Sequence, residues 1–247
     1  ALSVSVDGMN WSEPETVLAP NSETLWEKDI NRPAIVKVGG IYHLWYTGQA
    51  DGRSWIGYAT GADGKTFVRR SAEPVLGAEK AWEKVAVMCP HVIWDGQEKI
   101  FKMWYSGGEQ YEPDAIGYAV STDGLRWEKH AGNPVFSAAP ALEWERHKVT
   151  AAQVIKREKD YLMFYIGFQD IHLARIGMAK SPDGITGWVR FAGNPVIFPT
   201  PGDWDASACY RPFAIREKDR WMLWYNGRNE NLEQIGLAIY NDPDLGF

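Results

Sequence analysis

A pattern that returns every sixty residues limits what this chain can fold into. The segments LWYTG (44–48), MWYSG (103–107), MFYIG (163–167) and LWYNG (223–227) recur at intervals of 59, 60 and 60. Each is followed by Ile-Gly-x-Ala, at 56–59, 116–119, 176–179 and 235–238. Three units then carry an Asp-Gly turn (Asp63-Gly64, Asp123-Gly124, Asp183-Gly184), an aromatic residue (Phe67, Trp127, Trp188), and a Pro-Val pair preceded by Glu73, Asn133 or Asn194. A Trp–acid pair opens every unit: Trp26-Glu27, Trp82-Glu83, Trp144-Glu145 and Trp204-Asp205. Self-similarity at a fixed period marks architectures in which each unit buries its apolar face against its neighbours.

Each unit reads as four strands. A β-rich run such as Pro33-Ala34-Ile35-Val36 is strand A, a tight hairpin follows, strand B carries the Trp-Tyr pair, and strand C carries Ile-Gly-x-Ala. The Asp-Gly turn, a strong hairpin signal, leads to strand D. No segment sustains a 3.6-residue period, so helix is minimal. The glycine of Ile-Gly-x-Ala marks a close backbone approach. Thirteen Trp, eleven Tyr and nine Phe among 247 residues fit this all-β reading. The expected fold is a β-propeller of four-stranded blades, one domain over residues 1–247. Strand D is missing from the last unit, and Val6-Asp7-Gly8-Met9-Asn10-Trp11 matches the turn that precedes one. An N-terminal strand closing the last blade gives four blades and removes exposed sheet edges. Ser3-Val4-Ser5-Val6 also resembles a strand C, which fits part of a fifth blade.

Composition narrows the function. The net charge of −6 disfavours a general nucleic-acid binder. No apolar run approaches the ~20 residues of a membrane helix, so neither nucleic acid nor membrane is an expected partner. Cys89 and Cys209 form neither a disulfide scaffold nor a zinc site. No metal-ligand spacing, phosphate loop, dinucleotide fingerprint or nucleophile elbow is present, so no cofactor and no metal are expected. The chain opens Ala1-Leu2-Ser3-Val4 rather than with Met, which fits either a removed leader, and with it a secreted or periplasmic location, or a trimmed start.

The order of motifs resembles the glycosidase-type β-propellers, the superfamily of glycoside hydrolase families 32, 43, 62, 68 and 130. The resemblance rests on the Trp–acid entry into strand A ending in Arg-Pro, as in Trp204 to Pro212, then [LM]-W-Y-x-G, I-G-x-A, S-x-D-G-x-x-W and N-P-V. It covers nearly the whole chain and implies five blades. It also implies a carbohydrate ligand at one mouth of a central channel, formed by the entries to strand A and the B–C loops. Ser121-Thr122-Asp123-Gly124-Leu125-Arg126-Trp127 is similar to the Asp-box of sialidases, but its glycine directly follows the aspartate.

Comparing the chain with itself separates architecture from chemistry. A residue type found in every unit belongs to the blade, so the Trp–acid pairs and the turn aspartates are structural. A residue found in one unit at the mouth is a functional candidate. Asp29 stands where the other units have Ala86, Lys148 and Ala208. Trp55 stands where they have Ala115, Arg175 and Gln234, and its ring is suited to stack on a sugar face. Arg32 and Arg211 share a position at which the middle units have Cys89 and Ala151. With the first and fourth units adjacent, these two guanidinium groups would converge, and with Arg228 they suit an acidic sugar such as a uronate, or an ion pair with Asp29. His91, His147 and His172 lie near the mouth, as does Gln153. The B–C loops add Glu109, Glu112, Asp114, Asp170, Glu230 and Glu233.

Glycoside hydrolysis needs two carboxyl groups, one protonating the leaving oxygen and one attacking or activating water. The sequence reading assigns catalysis to Asp29 with Asp170 or Glu109, and sugar binding to Arg32, Trp55, His91, His147, Gln153, Arg211 and Arg228. The third unit lacks the Glu that the resemblance requires of a general acid, which makes a non-catalytic carbohydrate-binding propeller the alternative.

Overall fold

The computed structural model describes residues 1–247. All of its regular structure is strand except two short 3₁₀ turns, Ala81–Glu83 and Glu143–Glu145, which carry Trp–acid pairs. The four repeats form four antiparallel sheet units, paired in chain order, and a parallel bridge between Ser54 and Ala86 joins the first two edge to edge. The inner strands are Asp29–Val38, Ala86–Asp95, Lys148–Lys156 and Ala208–Glu217. Ile41–Ala50, Ile100–Gly108, Tyr161–Phe168 and Arg220–Asn229 pair with them, followed by Arg53–Gly61, Ala115–Ser121, Ala174–Ser181 and Leu232–Tyr240. Short outer strands at Val68–Arg69, Glu128–Lys129 and Val189–Arg190 complete the first three sheets, and the fourth has none. Residues from all four inner strands line one cavity of about 680 Å³, the hub of a propeller.

The shared residues build the blade. In each unit the opening indole lies flat on the two glycines of W-Y-x-G and I-G-x-A. A Cβ added at Gly177 would stand 2.4 Å from the Trp144 ring and 3.1 Å from the Asn194 side chain. The acid beside each Trp is buried. Glu27 accepts from the Tyr46 hydroxyl at 2.8 Å and from Arg69 at 2.9 Å. Glu83 does the same with Tyr105 and Lys129, and Glu145 with Tyr165 and Arg190. Burial alone would raise the Glu83 carboxyl, but backbone N–H groups of Glu79 and Lys80, with Lys129 and Tyr105, outweigh it and hold it below its ordinary value. Arg69, Lys129 and Arg190 all sit on the outer strands, and Asp205, in the unit without one, has no such cation.

Indole donors tie neighbouring units together. Trp45 Nε1 donates to the Gly124 carbonyl of the second unit at 3.0 Å, and Trp104 Nε1 to Gly184 of the third at 2.8 Å. Trp224 Nε1 of the fourth unit donates to Gly8 at 2.8 Å. The N-terminal turn also has the internal bonds of the others. Ser5 Oγ accepts from Gly8 N–H and Asp7 Oδ1 from Met9 and Asn10, as Ser121 and Asp123 accept from Gly124, Leu125 and Arg126. Leu2 pairs with Glu15 across this turn.

The N-terminal hairpin therefore lies where the corner of a unit following the fourth would lie, and it does not add a strand to the fourth sheet. This corrects the expectation that an N-terminal strand completes the last blade. The physical reason is that the Trp224 indole takes its acceptor from the next unit, as Trp45 and Trp104 do. No strand of the fourth sheet packs extensively on the first, and Ile35, Phe213, Ile215 and Ile235 remain exposed on these two sheets.

Two outcomes follow from this packing. Gly177→Ala should cost about 1–3 kcal/mol by overpacking against Trp144, read as a lower thermal midpoint. Trp224→Phe removes the donor to Gly8 but keeps an aromatic ring there. It should speed amide hydrogen exchange in residues 2–12 selectively, and unchanged exchange in that segment would exclude the clasp.

Candidate functional site

Each inner strand is interrupted at the same place. The register shifts between Asn31 and Ala34, Met88 and His91, Thr150 and Gln153, and Tyr210 and Phe213. Within each bulge one residue is left-handed: Arg32 (φ 53°), Cys89 (φ 53°), Ala151 (φ 49°) and Arg211 (φ 55°). A bulge re-aims a side chain, and holding a non-glycine residue there costs about 1–3 kcal/mol. Bonds from the preceding unit offset part of that cost: Cys89 N–H donates to Thr47 Oγ1 at 3.0 Å and Ala151 N–H to Ser106 Oγ at 2.8 Å. These four residues border the hub cavity.

Beyond them a second cavity of about 370 Å³ forms the mouth, and Arg32, Glu112 and Arg211 border both spaces. The inner strands bring Asn31, Arg32, Tyr210 and Arg211 to it. The loops and strand ends bring Tyr111, Glu112, His172, Arg228 and Glu233. Arg32 Nη2 is 3.3 Å from Glu112 Oε1, and its Nη1 is 3.1 Å from both Met88 Sδ and Cys89 Sγ. Asn31 donates to Gln49 at 2.7 Å, while its own side-chain oxygen is buried without a partner. Burial, then the hydrogen bond to Glu233, pushes the Tyr210 phenol above its ordinary value. Arg228 stands opposite Glu233 across the hairpin and donates to the His172 carbonyl at 3.0 Å. Tyr111 is 72% exposed at the rim. No group of three or more metal-ligating side chains is assembled anywhere.

No family model matches this sequence. An uncharacterized Mycobacterium tuberculosis protein, Rv1502, is 25% identical over 237 residues, 91% of this chain and 76% of its own length. The 1,2-beta-oligomannan phosphorylase of a Thermoanaerobacter species is 24% identical over 258 residues, 99% of this chain and 79% of that protein. A solved glycoside hydrolase matches with a TM-score of 0.81 at 20% identity, over 98% of this chain and 78% of that one. The fold is that of the glycosidase-type β-propellers.

On this propeller the sequence-selected residues divide. Arg32, Arg211 and Arg228 are brought together at the mouth. His91 and Gln153 line the hub, where they bridge units. His91 Nε2 lies 2.8 Å from the Val154 carbonyl, so it carries the proton. Gln153 donates to the Ala214 carbonyl at 2.8 Å and accepts from Ala214 N–H at 2.6 Å. Asp29, Glu109, Asp170, Trp55 and His147 lie outside the lining of both spaces. Asp29 is exposed, and the carboxylate facing Arg32 is Glu112 rather than Asp29. Glu109 pairs with Lys84 and Lys148 on the rim. Asp170 closes its own loop, accepting from His172 and Leu173 N–H groups that lower its pKa. The Trp55 ring packs over Gly77, and His147 is exposed.

Sequence reasoning counted Glu112 and Glu233 only as loop acids, and it missed Asn31, Gln49, Tyr111 and Tyr210. Counting the fourth hairpin outward from its turn would have found Glu233, because it falls opposite Arg228.

Burial lowers the His91 pKa to about 4, against the opposing bond to Val154. In the unfolded chain it is about 6.5. The unfolded state therefore binds the proton more readily between these values. The stability from neutral His91 is complete above about pH 6.5 and is lost as pH falls toward 4, by up to about 3 kcal/mol. Urea midpoints between pH 7.5 and 4.5 should show this slope. His91→Gln, which can reproduce the bridge made by Gln153, should flatten it.

Proposed function

We propose that the protein is a carbohydrate-active enzyme that cleaves a glycosidic bond held at the channel mouth. The observation that carries this reading is that Glu112, from a loop of the second unit, and Glu233, at the start of a strand of the fourth, border one cavity with polar and aromatic groups around them. Two carboxyl groups flanking a bond supply proton donation to the leaving oxygen and activation of the attacking group. The Asn31–Gln49 amide pair borders the same cavity and adds polar groups suited to ring hydroxyls. Tyr111, exposed at the rim, offers the flat apolar face that the sequence reading sought in Trp55. The similarity to an oligomannan phosphorylase supports glycan cleavage and raises the question of the attacking group. Water gives hydrolysis, and inorganic phosphate gives a sugar phosphate.

Incubation with β-1,2-linked manno-oligosaccharides and a panel of plant and bacterial oligosaccharides, with and without phosphate, tests the reading. Products should appear with at least one substrate. Glu112→Gln and Glu233→Gln should each lower the rate by about 10²-fold or more. Turnover unaffected by both substitutions would remove the pair from the mechanism. Saturable sugar binding without any turnover would leave a binding propeller.

A further inference from the structure

Three guanidinium groups meet at the mouth with more hydrogen-bond donors than the protein satisfies. The Arg32 side chain is only 9% exposed. Its nearest partners are two sulfur atoms and one carboxylate at 3.3 Å, and its Nε has no partner. Arg211, left-handed at the equivalent bulge, makes no side-chain hydrogen bond or ion pair within the protein. Arg228 spends one Nη2 hydrogen on a carbonyl and leaves its buried Nε unpartnered. Cys89, between the two bulge arginines, feels the positive charge of both. A buried cation short of acceptors is costly. The blade does not require this arrangement, because the middle units place Cys89 and Ala151 at the same bulge.

The charges at the mouth do not cancel. Arg32, Arg211 and Arg228 outnumber Glu112 and Glu233, and a protonated acid in that pair widens the excess, so positive charge is in surplus at the mouth. The neighbouring Lys84 and Lys148 are balanced by Glu109 and Asp114. Surplus positive charge matches an anionic ligand. A guanidinium fork takes a carboxylate through two parallel N–H···O bonds.

We propose that the mouth recognises a glycan by the glycan's own carboxylate, so that the sugar seated against Arg211 and Arg32 is a uronic acid. This rests on the glycan-cleaving reading and narrows its substrate class. Arg211 supplies the free fork, Arg32 its charge and an Nη2–H, and Arg228 the flank beside Glu233. These arginines are specificity residues, distinct from the carboxyl pair.

The test is calorimetric titration of the whole protein with oligogalacturonides and glucuronic-acid oligosaccharides. Their carboxyl-reduced neutral counterparts, β-1,2-mannobiose and inorganic phosphate alone complete the panel. At least one uronide should bind about tenfold or more tighter than its reduced form. In Arg211→Met that ratio should fall toward one, and Arg211→Lys should restore part of it. Arg211 has no internal partner, so both variants should keep the wild-type melting temperature, which is checked first. Neutral forms binding as tightly as the uronides would overturn the inference and leave glycan cleavage standing. Phosphate alone competing for the site, with cleavage only when it is supplied, would overturn it in favour of an attacking phosphate held by the arginines. No glycan binding and no cleavage would overturn both.

Discussion

One backbone constraint organises the site: a left-handed residue at the same point of all four inner strands. A regular strand would send alternate side chains into the hub and the adjacent blades. The bulge breaks that alternation and sets one residue per blade against the hub cavity, and of these Arg32 and Arg211 also border the mouth. Its cost is local and is met partly by Thr47 and Ser106, which hold the displaced backbone of the next unit. In this way the blades present four side chains at one level, and the sequence is free to choose them. It chose Arg, Cys, Ala and Arg.

The freedom at the bulge depends on rigidity elsewhere. The indole over two glycines, the buried acid bonded to a tyrosine, and the Asx turn that offers a glycine carbonyl to the preceding blade recur with little variation. Each is satisfied inside the blade or by its direct neighbour, so none reaches the mouth. The carboxylates most prominent in the repeat are for this reason unavailable for chemistry. Glu83 and Glu145 are locked between a hydroxyl and a cation of their own unit. Bridges made by His91 and Gln153 show the same logic at the hub, where polar side chains join adjacent inner strands and are consumed in doing so.

Electrostatic character therefore concentrates where the repeat is broken. The middle units contribute small or neutral groups at the bulge, and the flanking units contribute the arginines. Both flanking units also border the seam at which no strand of the fourth unit packs extensively on the first, and Trp224 of the fourth clasps the N-terminal hairpin. Arg32 is held by weak sulfur acceptors and a long contact to Glu112, which keeps its donors in place without saturating them.

The all-β propeller, its blade boundaries and the structural role of the Trp–acid pairs were legible in the sequence, because each is a local rule repeated four times. Self-comparison also isolated Arg32, Arg211 and Arg228, since a departure from a repeat is visible without coordinates. It could not rank the loop acids. Whether a loop carboxylate faces the mouth depends on how the loop folds back, and Asp170 spends its oxygens on its own turn while Glu109 turns to two lysines. Asp29 was unit-specific yet lies outside the mouth, because the residues that reach it are set by the bulge three positions later. The sequence by itself determined the blades and the arginines. Tertiary structure decided which carboxylates share a cavity with them and which unit the N-terminus follows, because both depend on contacts between blades, which a pattern within one blade does not encode.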